Sequence, residues 1–185
     1  TKLLVMVKAQ AYGAGHGQWV SELLRSGAKV GDDVYVSGHL GDARLALEVF
    51  RGRLTIPQNV FEQARLRMEM PTPRLALGQA LRGIATAAAD ISDGLLGDFQ
   101  HILKASHVGA DIDTAMVVST LASGFMCNLP LATQRMLTLS GGDDYELVFT
   151  ASPNAHHAVE AAALNTGTRV TRIGRVTEDQ NLLLV

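Results

Sequence analysis

The chain has 185 residues, 47% of them hydrophobic, which is enough for one domain with a real core and excludes a disordered chain. Its 16 basic and 18 acidic residues leave a net charge of −2, so no general electrostatic drive toward nucleic acid or an anionic membrane is expected. The single cysteine, Cys127, excludes an intrachain disulfide and fits a reducing cytoplasm. No apolar run approaches the length of a bilayer span, and Leu3-Leu4-Val5-Met6-Val7 is too short for a signal peptide.

In chain order, Leu3 to Ala11 reads as a strand, followed by the glycine-rich turn Gly13-Ala14-Gly15-His16-Gly17. That turn superficially resembles a phosphate-binding loop, but it lacks the lysine and hydroxyl residue of a P-loop and reads as a linker. There is no initiator methionine, and a strand at the extreme terminus wants neighbours that precede it. Residues 1–20 read as a terminal strand and linker and residues 21–185 as an α+β domain; that these are the remnant of a missing N-terminal domain and a C-terminal domain is what the resemblance given below implies.

Val34-Tyr35-Val36 is a short strand. Gly41-Asp42 opens an amphipathic helix through Phe50, with Leu45, Val49 and Phe50 on one face. Pro57 starts a second helical stretch to about Met68. Thr72-Pro73 predicts a helix start, threonine at N-cap and proline at N1, with Leu77, Ala80, Leu81 and Ile84 facing a core. Ala85 to Ile91 is small and apolar and is expected to be a strand. Ser92 should cap the next helix, whose Leu95, Leu96, Phe99, Ile102 and Leu103 repeat at helical spacing, with Gly109 just beyond its end.

Ala110 to Val118 alternates like a strand, and residues 119–139 are mostly helical with a break near Asn128 and Pro130. Tyr145 to Thr150 is a strand. Pro153-Asn154 starts a helix over His156 to Leu164, closed by Gly167. Arg169 to Val176 and Asn181 to Val185 read as a hairpin around Glu178-Asp179-Gln180. The interleaving of strands and helices without strict βαβ repetition predicts an α+β fold, one mixed sheet covered by helices.

Two acidic runs carry the chemistry. Leu139-Ser140-Gly141-Gly142-Asp143-Asp144-Tyr145-Glu146-Leu147 joins two glycines to three carboxylates just before a strand, and Asp90-Ile91-Ser92-Asp93-Gly94 lies about fifty residues earlier. Clustered carboxylates are costly to hold together unless a cation or basic group joins them. Asp90 and Asp93 at a helix start are equally what the helix dipole favours for stability alone. The functional alternative is that they hold a metal ion against a phosphate drawn to the helix N-terminus. Asp98, further into the helix, reads as solvated. The six histidines show no metal-ligand spacing and read as surface or helix-end residues, and Cys127 reads as structural.

These two runs resemble signature motifs of the thiamine-monophosphate kinase family, within the aminoimidazole-ribonucleotide-synthetase-like ATP-binding superfamily. Arg25-Ser26-Gly27-Ala28-Lys29-Val30-Gly31-Asp32-Asp33-Val34-Tyr35-Val36-Ser37-Gly38 and Arg74 in Pro71-Thr72-Pro73-Arg74 resemble the same family, in order and spacing, over roughly Arg25 to Val176. The resemblance implies the superfamily's C-terminal α+β domain and ATP-dependent phosphorylation of thiamine monophosphate to thiamine diphosphate. It implies that Asp90 and Asp93 bind Mg²⁺, that Arg25 and Ser92 contact ATP, and that Glu146 contacts thiamine monophosphate. A carboxylate at position 146 suits the cationic thiazolium side of that substrate.

Asp143 stands where many relatives carry glutamate, and no role is assigned to it. The resemblance further implies a homodimer in the full-length protein, with neither nucleic acid nor membrane as partner. It leaves this chain alone incomplete as a kinase. Two rival readings are another ATP-using synthetase of the superfamily and a non-catalytic ligand-binding module.

Overall fold

The computed structural model describes residues 26–185. Arg25, and the strand and linker expected over residues 1–20, lie outside the described residues. The architecture is an α+β fold built on one mixed sheet of six strands. They are β1 (Asp33–Ser37), β2 (Ala85–Ile91), β3 (Gly109–Ile112), β4 (Glu146–Ala151), β5 (Val170–Thr177) and β6 (Leu182–Leu184), in the order β2-β4-β1-β5-β3-β6. All neighbours are antiparallel except β3 and β6, which run parallel.

Three cores follow from which helices cover the sheet. Helix α4 (Leu95–Ser106) lays the expected face, Leu95, Phe99, Ile102 and Leu103, on Val34, Val36, Ala87, Ala89 and Val148. The alanines of β2 are small enough to let α4 approach closely; alanine is a poor strand former, and here tertiary burial overrides that propensity. The opposite face carries Tyr35, Ala88, Leu147 and Phe149 under Leu77 and Leu81, from and just after α3 (Leu75–Ala80), and Val159 and Ala162 of α7 (His156–Asn165). Tyr35 stacks on Phe149 with ring centroids 5.3 Å apart. A third cluster joins α1 (Asp42–Phe50), α2 (Gln58–Glu69) and α6 (Leu131–Ser140) through Leu45, Ala64 and Leu137, with Leu121 from the connection before α6. Fully burying a leucine-sized side chain contributes roughly 1.5–3 kcal/mol.

Several local expectations shift. Phe50 is 54% exposed, and the buried face of α1 is Asp42, Ala43, Leu45, Ala46 and Glu48. Glu48 is held there by three guanidinium groups, those of Arg44, Arg51 and Arg53, at 2.7, 3.2 and 3.3 Å. Helix α3 begins at Leu75 with Arg74, not Thr72, at its N-cap, because Arg74 is drawn into a buried ion pair described below. The α4 helix is closed by His107 in a left-handed conformation (φ 55°), and Gly109 opens β3.

The alternating run after Ala110 is a strand only to Ile112. Asp113 then accepts hydrogen bonds from the Ala115 and Met116 amides and starts helix α5 (Thr114–Val118). β5 and β6 are not a hairpin: β3 occupies the edge of β5, so the returning chain pairs with β3 instead, Ala110 opposite Leu182. Among the described residues no helix is long and apolar enough to cross a membrane. Cys127 is buried and donates its thiol to the Ser123 carbonyl at 3.2 Å.

Candidate functional site

The two acidic runs meet in space. Asp143 N–H donates to the Ser92 carbonyl at 2.8 Å and Tyr145 N–H to the Ile91 carbonyl at 2.9 Å. Gly142 lets the loops touch: a Cβ there would stand 2.6 Å from the Ser92 carbonyl oxygen. Asp143 and Tyr145 both take positive φ, 66° and 51°, a conformation that costs non-glycine residues energy and that the interlocked loops must impose.

The Tyr145 hydroxyl bonds Asp143 at 3.2 Å and faces the carboxylates of Asp143, Asp90 and Asp93. Burial first, and then those three negative charges, push its phenol up to about 12. Asp90 is buried, Asp93 exposed and Ser92 intermediate, so the three predicted residues lie at the mouth of one loop pair.

Asp98 is not solvated. It is 8% exposed, and its Oδ2 accepts from the amides of Ser92, Asp93 and Gly94 at 2.9, 3.0 and 3.2 Å. Ser92 is therefore not the helix cap. The cap position is Gly94 (φ 125°), and the amides before the helix are satisfied from within. Those three donors are engaged within the loop and are not free to hold a phosphate.

Glu146 opens β4 at the wall of a cavity of about 430 Å³ that Arg74, Asp144, His39, Arg67 and Arg169 also line. Arg74 donates Nε–H to Glu146 Oε2 at 2.7 Å and Nη2–H to Oε1 at 2.6 Å, a bidentate pair. Ser37 donates its hydroxyl to the same Oε2 at 2.6 Å. These hydrogen bonds raise the Arg74 guanidinium above its ordinary value, against burial.

Gly38 (φ 58°) makes room, since a Cβ there would fall 1.9 Å from Glu146 Oε1. His39 is pushed below its ordinary value, by burial and then by the Arg67 and Arg169 charges. Arg67 is paired with Asp42 at 3.1 Å. Arg74 belonged to a motif without an assigned role. Ser37 and Asp144 stand inside quoted motif runs without an assigned role, and Asp98 reads as solvated, because each acts through partners that only the fold supplies.

Asp144 caps α1 from a distance, accepting from Gly41 N–H at 2.8 Å. Burial nonetheless holds its carboxyl well above the ordinary 3.8. The unfolded chain then releases the proton at lower pH than the folded one. This group's contribution to stability is full below its ordinary value and is lost as pH rises through the raised one. Asp144→Asn cannot ionise and keeps an acceptor for Gly41. Its melting temperature should fall less than that of the parent as pH rises through this window; parallel melting curves across the window would rule the account out.

Among the described residues no group of three or more His, Cys, Asp or Glu side chains is arranged to hold a metal. Asp90 and Asp93 nonetheless fit Mg²⁺ chemically, which takes hard oxygen ligands and is often bound by one or two carboxylates with the rest supplied by water and substrate phosphates.

Residues 29–185 match the family of the AIR synthase related protein, C-terminal domain. Thiamine-monophosphate kinase of Salmonella typhimurium is 40% identical over 158 residues, 85% of this chain and 48% of the relative. The crystal structure of thiamine-monophosphate kinase from Stenotrophomonas maltophilia K279a matches with a TM-score of 0.80 at 39% identity, over 92% of this chain and 54% of that one. The structure of AaThiL complexed with AMPPCP and TMP matches with a TM-score of 0.69 at 28% identity, over 90% of this chain and 52% of that one. The resemblance carried by the motif runs thus extends over most of the sequence, and the chain spans about half the length of the curated relatives it matches.

Proposed function

We propose, from the premise that this chain belongs to the family of the AIR synthase related protein, C-terminal domain, that it serves a kinase transferring phosphate from ATP to thiamine monophosphate. The observation that carries the reading is the interlocking of the two loops: it gathers Asp90, Asp93 and Asp143 around one tyrosine, next to a cavity lined by Glu146. The names of the relatives, and the AMPPCP and TMP held by one of them, support the choice of ATP and thiamine monophosphate.

In this reading a phosphate oxygen of thiamine monophosphate attacks the γ-phosphorus of ATP. A new P–O bond forms in line as the bond to the bridging oxygen breaks, and ADP leaves. A phosphate monoester is already largely dianionic near neutral pH, its second pKa being about 6. No strong general base is required, and catalysis rests on positioning and charge stabilisation.

Asp90 and Asp93 would hold Mg²⁺, which when bound neutralises phosphate charge. Ser92 offers its hydroxyl to ATP, and Arg25, outside the described residues, a guanidinium. Glu146 holds the substrate's organic part in the cavity. The remaining contacts to ATP, and the homodimer the resemblance implies, belong to the whole protein that carries this chain.

Purified full-length protein with Mg-ATP should form thiamine diphosphate and ADP in equal amounts, and should not turn over aminoimidazole precursors. ATP consumption only with an unrelated acceptor would replace this reading by that of another synthetase.

A further inference from the structure

The hydrogen bonds around Glu146 leave little of its charge for a ligand. A carboxylate has about four acceptor directions. Oε2 has both filled, by Arg74 Nε–H at 2.7 Å and by the Ser37 hydroxyl at 2.6 Å. The Ser37 proton has only one place to go, because Ser37 Oγ itself accepts the Leu147 amide at 2.8 Å. Oε1 has one direction filled, by Arg74 Nη2–H at 2.6 Å. One acceptor direction remains, on Oε1, in a residue only 3% exposed that lines the cavity.

The net charge of the Arg74–Glu146 pair is zero, so it offers little attraction to a cation. The rest of the wall is no better suited to one: Arg67, paired with Asp42, and Arg169, which among the described residues has no ion pair, also line it, and the one further carboxyl there, Asp144, is pushed up by burial toward its neutral form. The apolar part of the lining, Leu66, Met70 and Pro71, suits a flat uncharged ring.

We propose that Arg74 and Ser37 are positioning residues that present one free acceptor of Glu146 to the cavity. The site then recognises its ligand by an N–H donor, the exocyclic amino group of the aminopyrimidine, and not by the positive charge of the thiazolium. The inference rests on the proposed substrate and adds which half of it the cavity reads. Arg74, 72 residues from Glu146 in sequence, thereby becomes a specificity determinant. An analogue that carries a carbonyl oxygen in place of the amino group would set acceptor against acceptor, leaving a buried polar group unpaired.

The test uses the full-length protein with three ligands: thiamine monophosphate, its analogue with oxygen in place of the exocyclic amino group, and its analogue with an uncharged ring in place of the thiazolium. Steady-state kinetics and calorimetric binding are both measured. The oxo analogue should bind at least about tenfold more weakly than thiamine monophosphate. The uncharged-ring analogue should stay within about threefold, because a ligand contact that ignores charge leaves Kd unmoved. The opposite order would overturn the proposal.

Arg74→Gln should raise KM with kcat largely kept and shrink the amino-over-oxo preference to within about threefold. Arg74→Lys should restore part of that preference. An Arg74→Gln protein that folds, is less stable and retains the full preference would show a merely structural pair. The wild-type ligand series decides the question even if that variant does not fold. Absence of turnover with preserved amino-dependent binding would refute the kinase reading while leaving this inference standing.

Discussion

Asp98→Ala should lower stability by about 3 kcal/mol, because it strips the partner from three amides, one of them buried and two part-buried. One buried carboxylate oxygen accepts from Ser92, Asp93 and Gly94. For a domain of this size the change corresponds to a fall in Tm of roughly 10 °C, readable by circular dichroism. Asp98→Asn keeps an acceptor of similar reach but not the charge, so it should lose less than half as much. The Ala variant should also bind Mg-ATP more weakly, since the loop it frees carries Ser92 and Asp93. An Ala variant melting within about 2 °C of the parent would mean that water satisfies these amides and that the carboxylate is not what shapes the loop.

Asp98, buried under three amides rather than solvated, marks where the sequence stops being legible. Helical periodicity identified the buried face of α4 correctly, because Leu95, Phe99, Ile102 and Leu103 need only a 3.6-residue repeat and a core to face. Asp98, further into the helix, reads as solvated, although it stands three residues from Leu95 and four from Ile102 and is buried with them. What overturns it is Gly94 at φ 125°, which folds the preceding residues back over the first turn so that their amides converge on position 98. β2 was legible to the residue, from a small apolar run bounded by Ile84 and Ser92.

Met116-Val117-Val118 predicts a strand because β-branched residues prefer strands, yet it lies in helix α5. In the fold the N-cap at Asp113, which accepts from the Ala115 and Met116 amides, outweighs that preference. The hairpin expected between β5 and Leu182–Leu184 does not form, because β3 already occupies the edge of β5 and β6 pairs with β3 instead. The site divides in the same way. Asp90, Ser92, Asp93 and Glu146 were visible as motif residues, and the structure brings their two loops together. That Glu146 is held by Arg74 and Ser37 was invisible, since those partners lie 72 and 109 residues away. This also changes the physical argument for Glu146, from charge complementarity to the placement of one acceptor.

Asp93→Asn should separate function from stability more cleanly than any other change. Asp93 is exposed, and among the described residues its side chain makes no hydrogen bond or ion pair, whereas its amide is bound by Asp98. Asparagine keeps the shape and the amide, so Tm should move by no more than about 1 °C, as for an ordinary surface substitution. The carboxylate's neighbours are what make its charge expensive to lose. It stands with Asp90 and Asp143 around Tyr145, an arrangement of like charges that stability alone disfavours and that a divalent cation would relieve.

In the full-length protein, turnover at saturating substrate should fall on the order of 10²-fold, the scale of removing one preorganised electrostatic contact to a transferring phosphoryl group. The Mg²⁺ concentration giving half-maximal rate should rise. If the lost charge acts through the metal, part of the loss should return with Mn²⁺, which tolerates the neutral ligand better than Mg²⁺ does. Full turnover at saturating Mg²⁺ would remove Asp93 from the site and leave the acidic loop with a role in folding alone.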